Sequence, residues 1–245
     1  MDKDNRIKVR IKFSKHGPVK FVGHLDFMRY FQKAIRRAKI DIAYSEGFSP
    51  HQIMSFATAL GVGVETDGDY LDIEVKSKPD CDRMKDELNK VMVEGVRVEN
   101  VVILPDGTPN AMSSVAAAGY KLYRRDGLDF DEDIIEAAKR VLSADTMIIR
   151  KENKKAKKKG KAVEGVNDMI TADIKAHVYE AELTDKSFDC VVDASSAGNV
   201  RPMSILDLIY REVGRELDPL DIQIVRKDLY KDNDGNLVTL DHVTV

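Results

Sequence analysis

The chain has 245 residues, 43% hydrophobic and 33% charged, with 39 Lys+Arg against 42 Asp+Glu. That apolar share suffices for packed cores and excludes wholesale disorder, and no run nears the roughly 18 apolar residues of a membrane-spanning helix. Two cysteines, Cys81 and Cys190, are too few for a disulfide framework or a Cys-rich metal site, and the start, MDKDNRIKVRIKF, lacks a secretory apolar stretch, so a cytoplasmic protein is expected.

Residues 6–13 alternate Ile7, Val9, Ile11 and Phe13 with Arg6, Lys8, Arg10 and Lys12. A period of two predicts a half-buried strand whose outer face is wholly cationic. Gly17-Pro18 predicts a turn. Over residues 24–39 the period becomes helical. Phe27, Met28, Phe31, Ala34, Ile35 and Ala38 gather on one side, and Arg29, Lys33, Arg36 and Arg37 on the other. Residues 6–39 thus hold eleven Lys/Arg and one acid, Asp26. A second block, residues 150–161, holds eight Lys/Arg and one acid, Glu152. Such islands concentrate polyanions even on an anionic chain; the competing reading is a solvated face that aids solubility.

A short apolar segment, residues 40–44, precedes SEGFSPHQ. Ser49-Pro50 followed by Gln52 has the pattern of a capped helix start, but Gly61 and Gly63 close the segment, so a loop with at most a short helix is expected. Residues 69–76 read as a strand, 81–92 as a helix and 96–104 as a strand. The order β-α-β-β-α-β is that of a ferredoxin-like domain. The second half predicts strands at 118–124, 145–150, 170–183, 188–193 and 220–230, with helix left open near 172–176. Helices fall at 131–142 and 202–215. A hairpin turn at 232–236 leads into a last strand, 237–245. The predicted fold is α+β, two tandem ferredoxin-like (βαββαβ) domains at residues 1–104 and 113–245. Residues 105–112 form the linker, and the second domain carries a lysine-rich loop, 151–166.

Several motifs fail on inspection. Gly61-Val62-Gly63 lacks the third glycine of a dinucleotide fingerprint, and Gly160-Lys161 is no phosphate-binding loop. Asp232, Asp234 and Asn236 have calcium-loop spacing without its glycine or closing glutamate. No metal and no cofactor is expected. Residues 12–56 are richer. His16, His24 and His51 share that stretch with Lys12, Lys20, Asp26, Arg29, Lys33, Arg36, Ser45, Phe48, Ser49, Ser55 and Phe56. Histidines suit proton transfer, cations suit phosphates and exposed aromatics suit base stacking. Plain roles compete: His24 can cap its helix or pack beside Phe21, and Phe48 and Phe56 can be core. A three-histidine metal site has no second signal. Arg201, in SSAGNVRP before the last helix, marks either an anion site or a simple helix entry.

Residues 20–38 (KFVGHLDFMRYFQKAIRRA), 44–75 (YSEGFSPHQIMSFATALGVGVETDGDYLDIEV) and, less specifically, 198–210 (GNVRPMSILDLIY) carry a resemblance spanning most of the chain. They resemble the radical SAM-linked protein family, an uncharacterised bacterial family encoded beside or fused to a radical S-adenosylmethionine protein. The resemblance implies a radical SAM partner, not an activity. Radical SAM chemistry needs three closely spaced cysteines for its cluster, which this chain lacks. The implied genetic surroundings involve RNA processing. Tandem ferredoxin-like domains are also similar to RNA-binding endoribonucleases of CRISPR systems, a fold analogy alone.

The leading expectation is a non-catalytic accessory protein presenting RNA to a radical SAM enzyme, with no membrane role. Its binding surface would comprise Lys12, His16, Lys20, His24, Asp26, Arg29, Lys33, Arg36, Ser45, Phe48, Ser49, His51, Ser55 and Arg201. The alternatives are a metal-independent RNA-cleaving or RNA-modifying enzyme using His24 or His51, and a structural protein–protein module.

Overall fold

A computed structural model describes residues 6–152, 169–196 and 198–243. Most of the expected lysine-rich loop, residues 153–166, lies outside them. The architecture is mixed α+β in two compact units, Met1–Lys121 with Gln223–Val245, and Leu122–Ile222. In chain order the first unit opens with β1 (Ile7–Lys15), a 3-10 turn (Gly17–Phe21), α1 (His24–Arg37), β2 (Met54–Phe56) and β3 (Glu65–Val75). It continues with α2 (Cys81–Asn89), β4 (Val96–Ile103), α3 (Ala111–Ser114) and the start of β5 (Ala117–Arg124). The second unit holds α4 (Glu132–Ser143), β6 (Ile148–Glu152), β7 (Met169–Asp173), β8 (Val178–Leu183), β9 (Phe188–Asp193) and α5 (Pro202–Glu212). The chain then returns to the first unit through β10 (Ile222–Asn233) and β11 (Asn236–Thr239).

The first unit is built on a large mixed sheet. Its strands run in the order β4-β1-β3-β10-β5, with β2 also on β3 and β11 on β10. β1 is antiparallel to β3, Ile7 facing Val75 and Phe13 facing Asp69, and antiparallel to β4. β10 lies parallel to the start of β3, Val225 facing Glu65. The alternation in β1 explains its core: Val9, Ile11 and Phe13 are buried against Phe27, Phe31 and Ile35 of α1 and Met84 and Leu88 of α2. The Phe13 ring centroid lies 5.1 Å from Phe31 and 5.6 Å from Phe27. Burying each such side chain stabilises by roughly 1.5–3 kcal/mol.

Three expectations change here. The cationic side of β1 is an interior face, not a solvent face. Arg10 is 1% exposed because the segments around Pro109 and Leu240 cover that side of the sheet; Lys15, equally buried, lies instead under α1, bonded to Val22 O and over the Phe27 ring. The expected linker is anchored within the first unit: the Lys8 Nζ donates to Thr108 O at 2.9 Å, Arg10 to Pro109 O, and Ala111 N–H to Asp72 Oδ2 at 2.7 Å. Ser49-Pro50 starts no helix. Instead Met54–Phe56 forms β2 on β3, and Ser55 at its centre faces Asp72 across the ladder. Met-Ser-Phe alternates apolar and polar, which suits a strand and not a helix face.

In the second unit α4 and α5 supply buried Ile134, Ala137, Ala138, Val141, Ile205, Leu206 and Ile209. β6 pairs with β7 as an antiparallel ribbon, and β8 with β9. The expected single strand at residues 170–183 is broken by a 3-10 turn, Lys175–His177, where Met147 N–H and Lys175 N–H both donate to Asp173 Oδ1.

Candidate nucleic-acid interface

α1 begins without a side-chain cap: Gly23 is its N-cap, and His24 is the first helical residue. His24 therefore does not cap the helix. Its ring stands edge-on to Phe56 at 5.4 Å, and Phe56 itself is core. The outward face of the helix presents Leu25, Asp26, Arg29, Lys33, Arg36 and Arg37, all exposed. Arg29 Nη1 pairs with Asp26 Oδ1 at 3.1 Å, and Arg37 Nη2 donates to Val91 O at 3.0 Å. Lys33 and Arg36 have no carboxylate within 4.0 Å among the described residues.

Beside this face stands a tightly closed loop. Tyr44 bridges Gln52. Ser45 N–H donates to His51 O at 2.8 Å, His51 N–H donates to Ser45 Oγ at 3.1 Å, and Ser45 Oγ lies 2.8 Å from His51 Nδ1. Gly47 at the tip has φ +105°, a conformation that L side chains rarely adopt. Phe48, next to it, is fully exposed, as are Ser49 and His51 to a lesser degree. The loop is tied to the helix at its base, where Gln52 Nε2 donates to Gln32 O at 3.3 Å. Arg29 and Arg36 stand three before and four after Gln32, so both flank that anchor on the helix surface. Gln52 Oε1, buried, has no partner among the described residues.

The structure thus sets Asp26, Arg29, Lys33 and Arg36 on one exposed face of α1 and Ser45, Phe48, Ser49 and His51 on one loop, the two joined by the Gln52–Gln32 hydrogen bond. It does not bring Lys12, His16 or Lys20 to that surface. Lys12 Nζ is 2.5 Å from Asp228 Oδ2 and lies over the Tyr70 ring. His16 stands between Glu65 at 3.5 Å and Asp67 at 3.1 Å. Lys20 Nζ donates to Glu65 Oε1 at 3.0 Å and Gln223 Oε1 at 2.7 Å. Burial pushes the Glu65 carboxyl up, but the hydrogen bonds from Lys20, Gly17 N–H and His16 outweigh it and hold Glu65 below the ordinary glutamate range. Arg201 lies in the second unit, exposed at the N-cap of α5. Sequence reasoning missed Tyr44 and Gln52, the residues that close the loop; their flanking of a Gly- and Pro-containing heptapeptide was the available signal.

Chemically, the surface offers phosphate-binding cations, hydroxyls and one open aromatic ring. It is poorer in proton-transfer machinery. Among the described residues no carboxylate lies within ion-pair distance of His24 or His51 to orient either imidazole. Among the described residues no group of three His, Cys, Asp or Glu is placed to hold a metal ion.

A family described as an uncharacterized protein conserved in bacteria (DUF2344) matches residues 8–202. The chain belongs to this family. The DUF2344 match runs from β1 into the start of α5 and includes the whole α1 face, the Phe48 loop and Arg201. No curated protein matches the chain. Among solved structures, an unknown protein from Galdieria sulphuraria is similar at 11% identity and TM-score 0.28, covering 93% of this chain and 99% of that one. A heavy metal efflux pump (crystal form II) is similar at 10% identity and TM-score 0.23, covering 94% of this chain and 28% of that one. No helix among the described residues is long and apolar enough to cross a membrane.

Proposed function

We propose that this DUF2344 protein is a non-catalytic RNA-binding accessory protein that works with a radical SAM enzyme in the cytoplasm. The observation that carries the RNA part is that α1, which exposes Lys33 and Arg36 without carboxylate partners among the described residues, also anchors the loop that carries the fully exposed Phe48. Cations neutralise phosphates and position the strand, while an open ring accepts a base. The radical SAM part rests on the resemblance of residues 20–38 and 44–75 described above. We also propose that each half derives from the split βαβ arrangement. In the first unit β1 lies between β4 and β3 with β2 on β3. The chain order β5-α4, β8-β9, α5-β10 supports the same plan in the second half, with the β6-β7 ribbon inserted.

The test is mild affinity purification of the full chain from its native cells, with sequencing of bound RNA and mass spectrometry of bound proteins. The reading expects RNA that nuclease removes, together with a radical SAM protein. Recovery of the radical SAM protein with no RNA above background would replace it with a protein–protein module.

A further inference from the structure

We propose that Phe48 is a stacking platform for an unpaired base, which makes single-stranded RNA the ligand of this surface; the proposal rests on the RNA-binding reading above. Three observations lead to it. Phe48 is fully exposed, yet the neck of its loop is closed by the Tyr44–Gln52 bridge and by the Ser45–His51 hydrogen bonds. The ring is therefore held out by a built loop, not left out by a loose one. Its chain neighbours Glu46, Gly47, Ser49, Pro50 and His51 are polar or small, so the loop tip offers one ring and not a run of apolar side chains of the kind a protein partner would need. Finally, the acids nearest the site are already paired: Glu46 lies 3.6 Å from Arg6, and Asp26 holds Arg29. Lys33 and Arg36 remain to take phosphates.

A duplex cannot use this arrangement. Its bases are stacked on one another, and A-form RNA offers a shallow minor groove and phosphates, not base faces. An unpaired strand offers both. Base–aromatic stacking is sequence-tolerant, so the surface should discriminate by strandedness more than by sequence.

The experiment is fluorescence anisotropy on the full chain with labelled oligouridylate, oligoadenylate of the same length, and the duplex made by annealing them. Phe48→Ala should weaken both single strands about tenfold and leave the duplex unchanged, while Phe48→Trp retains binding. Joint replacement of Lys33 and Arg36 by alanine should weaken all three. If Phe48→Ala leaves single-strand binding intact while the Lys33/Arg36 variant loses it, the RNA-binding reading stands and the stacking proposal is overturned. Equal losses on single strands and duplex overturn it too. If the unaltered protein binds none of the three, both readings fall together.

Discussion

β1 and α1 are neighbours in the chain and equally cationic, yet their charges meet opposite fates. In β1, Arg10 is buried and held by Asp72 through two hydrogen bonds of 2.7 and 2.9 Å, with further bonds to Leu240 O and Pro109 O. Lys12 is paired with Asp228, and Lys15 donates to Val22 O while lying 4.7 Å over the Phe27 ring. Burial pushes the Lys15 amine down, against the opposing charge of Asp69. In α1, Arg29, Lys33, Arg36 and Arg37 all remain exposed. The difference is what lies over each element. A helix on the rim of a unit has one covered face, whereas a strand inside a sheet has two. A cationic run therefore signals a polyanion surface only where a second layer does not bury it.

The largest way to break this comparison is to remove the strand's deepest cation. Arg10→Met leaves Asp72 buried without its countercharge and should cost about 3–5 kcal/mol in urea unfolding. The double change Arg10→Met with Asp72→Leu should recover most of that loss. A single-variant loss below about 1 kcal/mol would place Arg10 with the surface cations instead. Lys12→Met should cost less, about 1–3 kcal/mol, because Asp228 keeps its 2.6 Å bond from Tyr70 Oη.

Acid should act on the paired charges of the turn between β1 and α1. Glu65 has a folded-state pKa below its unfolded value, so the unfolded chain binds more protons in the acid range. Its contribution is complete above the ordinary glutamate pKa and is lost as pH falls through the lowered folded value. Stability measured against pH should lose part of its acid slope in Glu65→Gln; an unchanged slope would remove the Lys20–Glu65–His16 cluster from the account. The smallest stability effect belongs to the helix. Joint Lys33→Ala and Arg36→Ala should shift unfolding by no more than about 0.5 kcal/mol, read in the same urea titration.

The elements of the first half were legible because their periods are clean: two for β1, 3.6 for α1. Which side of β1 meets solvent was not. Periodicity reports that two faces differ, and a cationic face is normally the wet one, but here residues more than a hundred positions away close over it. The return of β10 and β11 to the first unit is likewise a long-range pairing with no local signature. At the site, the helix stripe and the loop composition were readable. The closure of the loop depends on the cross-loop pair Tyr44 and Gln52, and its attachment to Gln32 is a single side-chain hydrogen bond that no spacing rule foretells.

The central claim is that the exposed cations of α1, and not those of β1, contact RNA phosphates. Filter binding of oligouridylate across a salt series, with the unaltered chain and the Lys33/Arg36 double variant, tests it most directly. Each lost phosphate contact on a single strand removes about 0.7 from the slope of log affinity against log salt, so the double variant should be shallower by about 1.4. Identical slopes for the two proteins, or a flat response in the unaltered chain, would contradict the account.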